Sequence, residues 1–275
     1  KKELLKYQIE FSFTEGLSLE DIMAKRKPNT KGIYVESPSN PTLQLVNLKE
    51  LASWAKSEGL WTIIDNTFAS PVNQNPIALG IDIVIHSATK YLGGHSDISA
   101  GAVVGERKAI SKVYEVAKNL GGNLSDATVW LLERSIKTLS LRVEAQNNNA
   151  QQLAFFLEEQ SWIKKVYYPG LPSHPDHDLA KAQMKGFGGM LSFELDPKIN
   201  VSEFLSNFTL IKPSMSLAGV ESTALSPRLT SHALLTEEER IDQGITPQLI
   251  RFSCGIEAVE DLQEDLENAL KNCTL

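Results

Sequence analysis

DIVIHSATKYLGGHSD, at residues 82–97, is the most informative stretch of this sequence. It begins with an apolar run, Ile83–Ile85, whose β-branched residues are typical of a buried strand, and it leads to a Gly-Gly pair. Lys90 lies between them and is preceded by Ser87 and Thr89. Desolvation after a buried strand lowers the pKa of a lysine and makes its amine a better nucleophile. Because hydroxyls and glycines can hold a phosphate, the stretch predicts an amine beside a phosphate site, as covalent attachment of pyridoxal phosphate (PLP) requires.

A second apolar strand is predicted at Leu60–Ile64, and it leads directly into Asp65. A carboxylate at the carboxyl end of a strand lies where open α/β sheets bind ligands. An acid beside the pyridine nitrogen of PLP would keep that nitrogen protonated, so that the ring can withdraw electrons. We therefore predict that Asp65 and Lys90 meet one cofactor from neighbouring strands.

Composition and charge restrict the class of protein. The chain has 275 residues, of which 42% are hydrophobic, enough for one large or two modest globular domains. A formal net charge of −7 argues against a binding surface for nucleic acid or anionic membranes. Cys254 and Cys273 are too few for a disulfide scaffold, so the predicted location is the reducing cytoplasm.

Strand and helix patterns alternate along the first half of the chain. Strands are predicted at Tyr7–Phe13, Gly32–Val35, Leu60–Ile64, Ile83–Ile85 and Gly101–Val104, and helices from Ser18, from Asn47, and at Ala109–Lys118, Ser125–Lys137 and Leu139–Glu159. Later patterns predict strands at Met190–Leu195 and Leu249–Ser253 and a final acidic helix from Val259 to Leu270. This order predicts an α/β protein with a mostly parallel sheet covered by helices. We predict a PLP-binding large domain at residues 1–145, and a connecting helix with a smaller α+β domain at residues 146–275.

Several stretches resemble the Cys/Met metabolism (trans-sulfuration) enzymes, which include cystathionine γ-lyase, cystathionine γ-synthase, methionine γ-lyase and the homoserine sulfhydrylases. They are the PLP-attachment signature at Asp82–Ser96, ESPSNPT at Glu36–Thr42, DNTFASP at Asp65–Pro71, SLAGVES at Ser216–Ser222 and LIRFSCGIE at Leu249–Glu257. The resemblance covers nearly the whole chain. It implies the PLP-dependent aminotransferase fold of type I and a homotetramer built from active-site dimers.

The resemblance also implies roles for the residues that would hold PLP. Lys90 would be linked to the cofactor and would move protons at Cα and at Cβ or Cγ of the substrate. Asp65 would face the pyridine nitrogen, and Ser87 and Thr89 would bind the phosphate. Asn40 would approach the ring hydroxyl and the substrate carboxylate.

Three further residues are expected to contact the substrate. Arg251 lies on an otherwise apolar strand, where its charge needs a partner, and its planar guanidinium suits an α-carboxylate. The resemblance gives that role to Arg251 and a carboxylate contact to Ser216. Met215 stands where several members that handle cystathionine carry Glu, which favours a smaller apolar substrate such as methionine. We predict a PLP-dependent carbon–sulfur lyase acting by γ-elimination on methionine or cystathionine, with γ-replacement, as in cystathionine γ-synthase or O-acylhomoserine sulfhydrylase, as the alternative.

Each assignment has an ordinary structural alternative. Lys90 could lie in a solvated turn, and Asp65 could form an Asx turn. Ser87 and Thr89 could cap a turn, Asn40 could be a plain loop residue, and Arg251 could form a structural ion pair.

Some titratable residues are interpreted as structural. His174, Asp176, His177 and Asp178 lie in a Pro-rich loop, and their spacing matches no zinc pattern, so no metal site is predicted. His95 follows the Gly-Gly pair and is interpreted as part of that turn.

The chain begins at Lys1, whereas the family it resembles typically carries a further N-terminal region. That region supplies an aromatic ring that stacks on PLP, a glycine contact to its phosphate, and a Tyr and an Arg that reach the neighbouring subunit's phosphate. A rival hypothesis is therefore a non-catalytic fragment with the PLP fold. On this hypothesis we expect weak PLP retention and low activity of the chain alone.

Overall fold

The structure is a computed structural model that describes residues 2–230 and 232–273. In chain order the strands are β1 (Gly32–Glu36), β2 (Trp61–Asp65), β3 (Ile83–Ser87), β4 (Gly101–Gly105), β5 (Ile163–Tyr167), β6 (Met190–Leu195), β7 (Lys212–Pro213), β8 (Thr223–Leu225) and β9 (Leu249–Ser253). The helices are α1 (Lys2–Leu5), α2 (Leu19–Ala24), α3 (Leu48–Ser57), α4 (Ser70–Asn73), α5 (Arg107–Leu120), α6 (Asp126–Ile136), α7 (Leu139–Glu158), α8 (His177–Gln183), α9 (Val201–Ser206), α10 (Glu237–Asp242) and α11 (Val259–Lys271). Short 3-10 turns lie at Pro76–Leu79 and Pro227–Leu229.

The first sheet has the strand order β1-β2-β3-β4. Strands β1, β2 and β3 are parallel, and β4 pairs antiparallel with β3. The mostly parallel α/β arrangement predicted from the sequence is therefore confirmed. Because parallel strands end at the same edge, the residues that follow β1, β2 and β3 come together there.

One face of this sheet is packed and the other is open. On the packed face Val35, Ile64 and Val84 form a core with α3. On the opposite face Tyr34, on β1, is 60% exposed and Trp61, on β2, is 49% exposed. Within the described residues, helices thus cover one face of the sheet, and the open face is the one that carries Asp65 and Ser87 at its end.

The second sheet has the order β5-β6-β9-β8-β7 and is antiparallel except for the short β7–β8 pair. Its central strands β6 and β9 are buried along their whole length. Phe193 and Phe252 pack there against α7 and α11, with Leu153 and Leu266 among the buried contacts. The five strands of this sheet all lie within residues 146–275.

Helix α7 connects the two sheets, and its amide side chains explain the polar run that weakens its sequence pattern. Asn147 exchanges hydrogen bonds with Asn73 of α4, at 2.7 and 3.0 Å. Asn149 donates from Nδ2 to the carbonyl of Gly255 at 3.1 Å, beyond β9 of the second sheet. The polar residues therefore lie at contacts with both halves of the chain. The division of domains at residues 145 and 146 stays a prediction.

The strand predicted at Tyr7–Phe13 is wrong, because the chain there is irregular. Alternating apolar residues can form a strand only where a sheet edge is available, and Tyr7 and Phe13 instead remain 70% and 66% exposed. Other expected features are present: Ser18 caps α2 by accepting from the Asp21 N–H at 3.1 Å, and Asn47 caps α3.

Within residues 2–230 and 232–273, none of the helices combines the length and the apolar character that crossing a bilayer requires.

Candidate active site

The predicted residues meet at the edge where β1, β2 and β3 end. In the parallel register Glu36 is the partner of Asp65, and Asp65 is the partner of Ile85. Ser87 is the last residue of β3, and Lys90 follows three residues later. Neighbouring strands in a sheet lie about 5 Å apart, so an acid, a hydroxyl and an amine share one small region.

Lys90 lies in a closed turn and is partly buried rather than fully solvated. Its N–H donates to the carbonyl of Ser87 at 3.0 Å, and its own carbonyl accepts from the Gly94 N–H at 2.7 Å. Burial, and secondly the positive charge of Arg251, lower the pKa of the Lys90 amine. A larger share of the amine is therefore uncharged near neutral pH, which is the form that reacts as a nucleophile or a base.

Asp65 uses its two carboxylate oxygens differently. Oδ1 accepts from the Thr67 N–H at 2.9 Å, which is the Asx turn considered as the ordinary alternative. Oδ2 lies 3.5 Å from the hydroxyl of Tyr34 at the open face of the sheet. The Thr67 hydroxyl in turn accepts from the Ser87 N–H at 2.8 Å, which ties the ends of β2 and β3 together. The turn thus fixes one oxygen and leaves the other, which contacts Tyr34, on the open face of the sheet.

The two predicted phosphate hydroxyls have different surroundings. Thr89 Oγ1 accepts from the Ala100 N–H at 3.0 Å and donates to the Ala100 carbonyl at 3.3 Å, so it closes a turn, as its structural alternative requires. Within the part of the chain that the structure describes, the Ser87 hydroxyl makes no hydrogen bond. Of the two, Ser87 is therefore the hydroxyl with its full bonding capacity available to a ligand.

Arg251 reaches the same edge from the second sheet. Its cross-strand neighbour Ser192 donates to the carbonyl of Pro41 at 2.7 Å, which holds β6 and β9 against the loop that follows β1. Arg251 Nη1 donates to Asn40 Oδ1 at 3.4 Å, and Nη2 donates to the Met215 carbonyl at 3.1 Å. No carboxylate among the described residues is in ion-pair contact with this guanidinium, so the structural ion pair considered as its alternative is not formed. Burial lowers the pKa of Arg251 to about 10, although the charge of Glu36 acts in the opposite direction.

The SLAGVES segment lies beside Arg251. The Ser216 hydroxyl is 3.2 Å from the hydroxyl of Ser96, and the Ser216 carbonyl accepts from Thr223 Oγ1 at 2.9 Å. Met215 contacts Arg251 through its backbone, whereas its side chain is 64% exposed. Ser216 and Met215 therefore lie next to the predicted carboxylate-binding group.

Glu36 belongs to this site, although the sequence did not single it out. Its carboxyl stands beside Asp65 in register on the same face of the sheet. Burial, and next the charge of Asp65, raise the pKa of Glu36 to about 7, while Arg251 acts to lower it. The available sequence signal was its position as the first residue of ESPSNPT, directly at the end of a predicted strand.

The pKa of Glu36 predicts how stability depends on pH. The ordinary pKa is 4.5 and the folded value is about 7, so between these limits the folded state holds a proton that the unfolded state has lost. The free energy of unfolding therefore falls as pH rises through this window, by about 3 kcal/mol for this group, and Glu36→Gln should remove that loss. Denaturant unfolding at pH 5 and pH 8 measures the difference, with Glu133→Gln on the exposed side of α6 as the control. Parallel pH profiles of wild type and Glu36→Gln would contradict the prediction.

The histidines and aspartates of the Pro-rich loop make structural contacts. Asp176 Oδ2 accepts from the Leu45 N–H at 2.9 Å, and His174 Nδ1 accepts from the Asp176 N–H at 3.1 Å. His177 Nδ1 lies 2.9 Å from the carbonyl of Pro169. The described residues contain no group of three or more His, Cys, Asp and Glu that could hold a metal ion. His95 Nδ1 lies 2.8 Å from the Gly93 carbonyl, within its own turn.

The chemical groups at this edge of the sheet fit PLP. The cofactor presents an aldehyde, a ring nitrogen and a phosphate, and the edge offers an amine of lowered pKa at Lys90, a carboxylate oxygen at Asp65 and an unengaged hydroxyl at Ser87. The guanidinium of Arg251 adds a site for a carboxylate. These groups match the chemistry of the cofactor and of an amino acid together.

Known proteins resemble this chain over almost all of its length. Residues 1–271 match the family described as Cys/Met metabolism PLP-dependent enzyme. A cystathionine beta-lyase of Lactococcus lactis subsp. cremoris is 47% identical over 271 residues, which are 98% of this chain and 71% of that protein. A cystathionine gamma-lyase of Bacillus subtilis is 46% identical over 272 residues, which are 98% of this chain and 72% of that protein.

The fold is also that of solved structures. The crystal structure of cystathionine gamma-lyase from Lactobacillus plantarum complexed with L-serine superposes with a TM-score of 0.96 at 39% identity, and the match covers 99% of this chain and 72% of that one. This likeness confirms the predicted fold class, the α/β fold of type I.

Proposed function

Because the chain belongs to the Cys/Met metabolism PLP-dependent enzyme family, we propose that it is a carbon–sulfur lyase acting on a sulfur amino acid by γ-elimination, with methionine or cystathionine as substrate. The observation that carries the proposal is the convergence of Lys90, Asp65 and Arg251 on one edge, from two sheets. PLP, the cofactor of this family, supplies an electron-poor ring that draws electrons from the substrate's Cα when it is bound.

Each residue has a stated task in the proposal. Lys90 would be the point of covalent attachment, and Asp65 Oδ2 would face the ring nitrogen. Ser87 would bind the phosphate together with Thr89, whose hydroxyl would turn from the Ala100 carbonyl toward it. The Asx turn supports this task for Asp65 because a carboxylate with one oxygen already fixed keeps the other in a constant direction.

Arg251 and Asn40 would bind and orient the substrate's α-carboxylate. Their side chains are already joined at 3.4 Å, so the two groups present one polar surface. With the substrate held there, the Lys90 amine would accept the proton from Cα and pass it on, so that it is again uncharged. It would then accept a proton from Cβ and return that proton to the sulfur of the leaving γ-substituent. Its lowered pKa supports this role because a base must be uncharged at the working pH.

The side chain of Met215 supports methionine over cystathionine, because an apolar side chain cannot pair with the distal ammonium of cystathionine. We expect Met215→Glu to raise the ratio of kcat/KM for cystathionine to that for methionine about fivefold, since an exposed ion pair contributes up to about 1 kcal/mol. Steady-state kinetics with both substrates measure the ratio. Met215→Gln is the matched control of the same length without charge, and an equal change in it would contradict the charge argument.

A second candidate is β-elimination, favoured by the relative named cystathionine beta-lyase at 47% identity. The two reactions give different keto acids from cystathionine. With one water consumed in each case, breaking the Cγ–S bond yields 2-oxobutanoate, cysteine and ammonia, whereas breaking the Cβ–S bond yields pyruvate, homocysteine and ammonia. Identification of the keto acid therefore decides between them.

The test is a product assay with PLP added to the chain. Release of 2-oxobutanoate from methionine or cystathionine supports the proposal, and pyruvate alone from cystathionine overturns it in favour of β-elimination. Condensation of O-succinylhomoserine with cysteine, without keto acid from the other substrates, would instead indicate γ-replacement. Absence of every product would favour the non-catalytic fragment. The homo-oligomer that we also propose is measured separately by sedimentation.

A further inference from the structure

Arg142 is a buried cation that the proposed function does not use. It lies on α7, is only 5% exposed and donates three hydrogen bonds. Nε donates to Thr138 Oγ1 at 3.0 Å, Nη1 to the carbonyl of Tyr91 at 2.9 Å, and Nη2 to the carbonyl of Ser135 at 2.9 Å. Among the described residues no carboxylate is in ion-pair contact with it. Burying a charge without a counter-ion costs free energy, so a buried arginine at this position is expected to have a specific role.

Its neighbours are the turn that carries Lys90 and the end of α6. Tyr91 directly follows Lys90, and Ser135 lies in the last turn of α6, where the helix dipole favours a cation. Tyr91 is itself anchored, because its buried hydroxyl accepts from the Gly189 N–H at 3.0 Å. The guanidinium therefore joins the lysine turn to α6 and to α7.

Gly94 allows this contact. A Cβ added at Gly94 would collide with the guanidinium of Arg142, and the positive φ of 69° also favours glycine there. The turn is closed by two short bonds, from the Gly93 N–H to the Ala88 carbonyl and from the Gly94 N–H to the Lys90 carbonyl, both at 2.7 Å. The guanidinium thus lies directly against the backbone that closes around Lys90.

We propose that Arg142 is a positioning residue for Lys90, which locks the turn at residues 90–94 onto the start of α7 and so keeps the reactive amine in its partly buried place. The proposal rests on the proposed function only in taking Lys90 as the reactive amine. It predicts that loss of the lock exposes the amine to water while the protein remains folded.

The lock can be tested through the chemical reactivity of Lys90 without cofactor. Trace acetylation across pH 6 to 11, followed by peptide mapping, gives the labelling profile of Lys90 relative to the exposed Lys112 in the same molecule. In Arg142→Met we expect the labelling profile of Lys90 to move toward that of an ordinary lysine. Labelling at pH 8 should fall about tenfold for each unit by which the pKa of the Lys90 amine rises. Arg142→Lys should lie between, because it keeps the charge but cannot make all three bonds. Arg134→Met removes an exposed arginine from α6 and should leave the profile unchanged.

The outcomes separate positioning from general stability. A folded Arg142→Met protein with the wild-type profile of Lys90 would overturn the proposal, even if its melting temperature had fallen. If Arg142→Met does not fold, the proposal is tested instead by the labelling profile of Lys90 in Arg142→Lys and by hydrogen exchange of the wild type. The amides of Gly93 and Gly94 should then be protected as strongly as those of β3, and exchange at the rate of an open surface turn would overturn the lock.

Failure of the proposed function would look different. PLP attachment to Lys90 is measured in a separate reduction experiment on wild type. A wild type that binds no PLP at Lys90, but whose Lys90 profile shifts in Arg142→Met, would remove the proposed function and leave the positioning role intact.

Discussion

Replacement of Lys90 by alanine is expected to abolish covalent attachment of PLP and to lower keto-acid release by about 10³-fold or more. The structure offers the reason. Lys90 is the amine at the edge where Asp65 and Ser87 meet, and burial together with Arg251 lowers its pKa, which favours the uncharged form that the proposed nucleophile and base both require. Losing one residue removes both tasks, and an alanine cannot move a proton.

Borohydride reduction followed by peptide mapping measures the first effect. In wild type the reduced cofactor should be found on the peptide that contains residues 82–97, and in Lys90→Ala no lysine should carry it. Lys112→Ala, on the exposed side of α5, is the control for removal of a lysine. Recovery of the label on another lysine in wild type would contradict the assignment of Lys90.

Replacement of Arg251 by methionine is expected to raise KM for the amino acid substrate by about 10- to 100-fold, with a smaller change in kcat. Hydrogen bonds to a charged group contribute about 1.5 to 3 kcal/mol, and Arg251 is the guanidinium that reaches the site edge. Stability should not fall, because the guanidinium is buried without an ion pair among the described residues, and an apolar side chain of similar length suits the β9 core.

The two effects of Arg251→Met are measured separately, by steady-state kinetics and by thermal unfolding followed by circular dichroism. Arg251→Lys is the matched control, since it keeps the charge but loses the planar pair of donors. An unchanged KM together with a lowered melting temperature would contradict the substrate role and would indicate a structural one.

Sequence patterns predicted most of the helices and strands because these are determined largely by residues that are close together in the chain. The apolar run before Lys90, the cap at Asn47 and the alternation of strands and helices each depend on neighbours a few residues away. The segment Tyr7–Phe13 obeys the same strand rule, but a strand also needs a partner, and pairing is not a local property.

The site residues missed by sequence reasoning depend on contacts between distant parts of the chain. Glu36 looks like any acid at the start of a turn, and only the register of β1 on β2 brings it beside Asp65. Arg142 looks like a solvated helix residue, and only the packing of α7 on the lysine turn shows that it is buried. Thr89 fits a phosphate hydroxyl in sequence, and only the structure shows that its hydroxyl also exchanges hydrogen bonds with Ala100.

The charge of Arg251 comes from one sheet and the amine of Lys90 from the other. The distance between the two sheets is therefore linked to the pKa of the lysine. Any hinge opening that draws β9 away from β3 would remove a cation from beside the lysine and admit water at the same time. Both changes would raise the pKa of the amine, so that a larger share of it would carry a proton and would not react. An open molecule would in this way be less reactive, and the guanidinium proposed to bind a carboxylate would, on closing, also help to lower the pKa of the lysine.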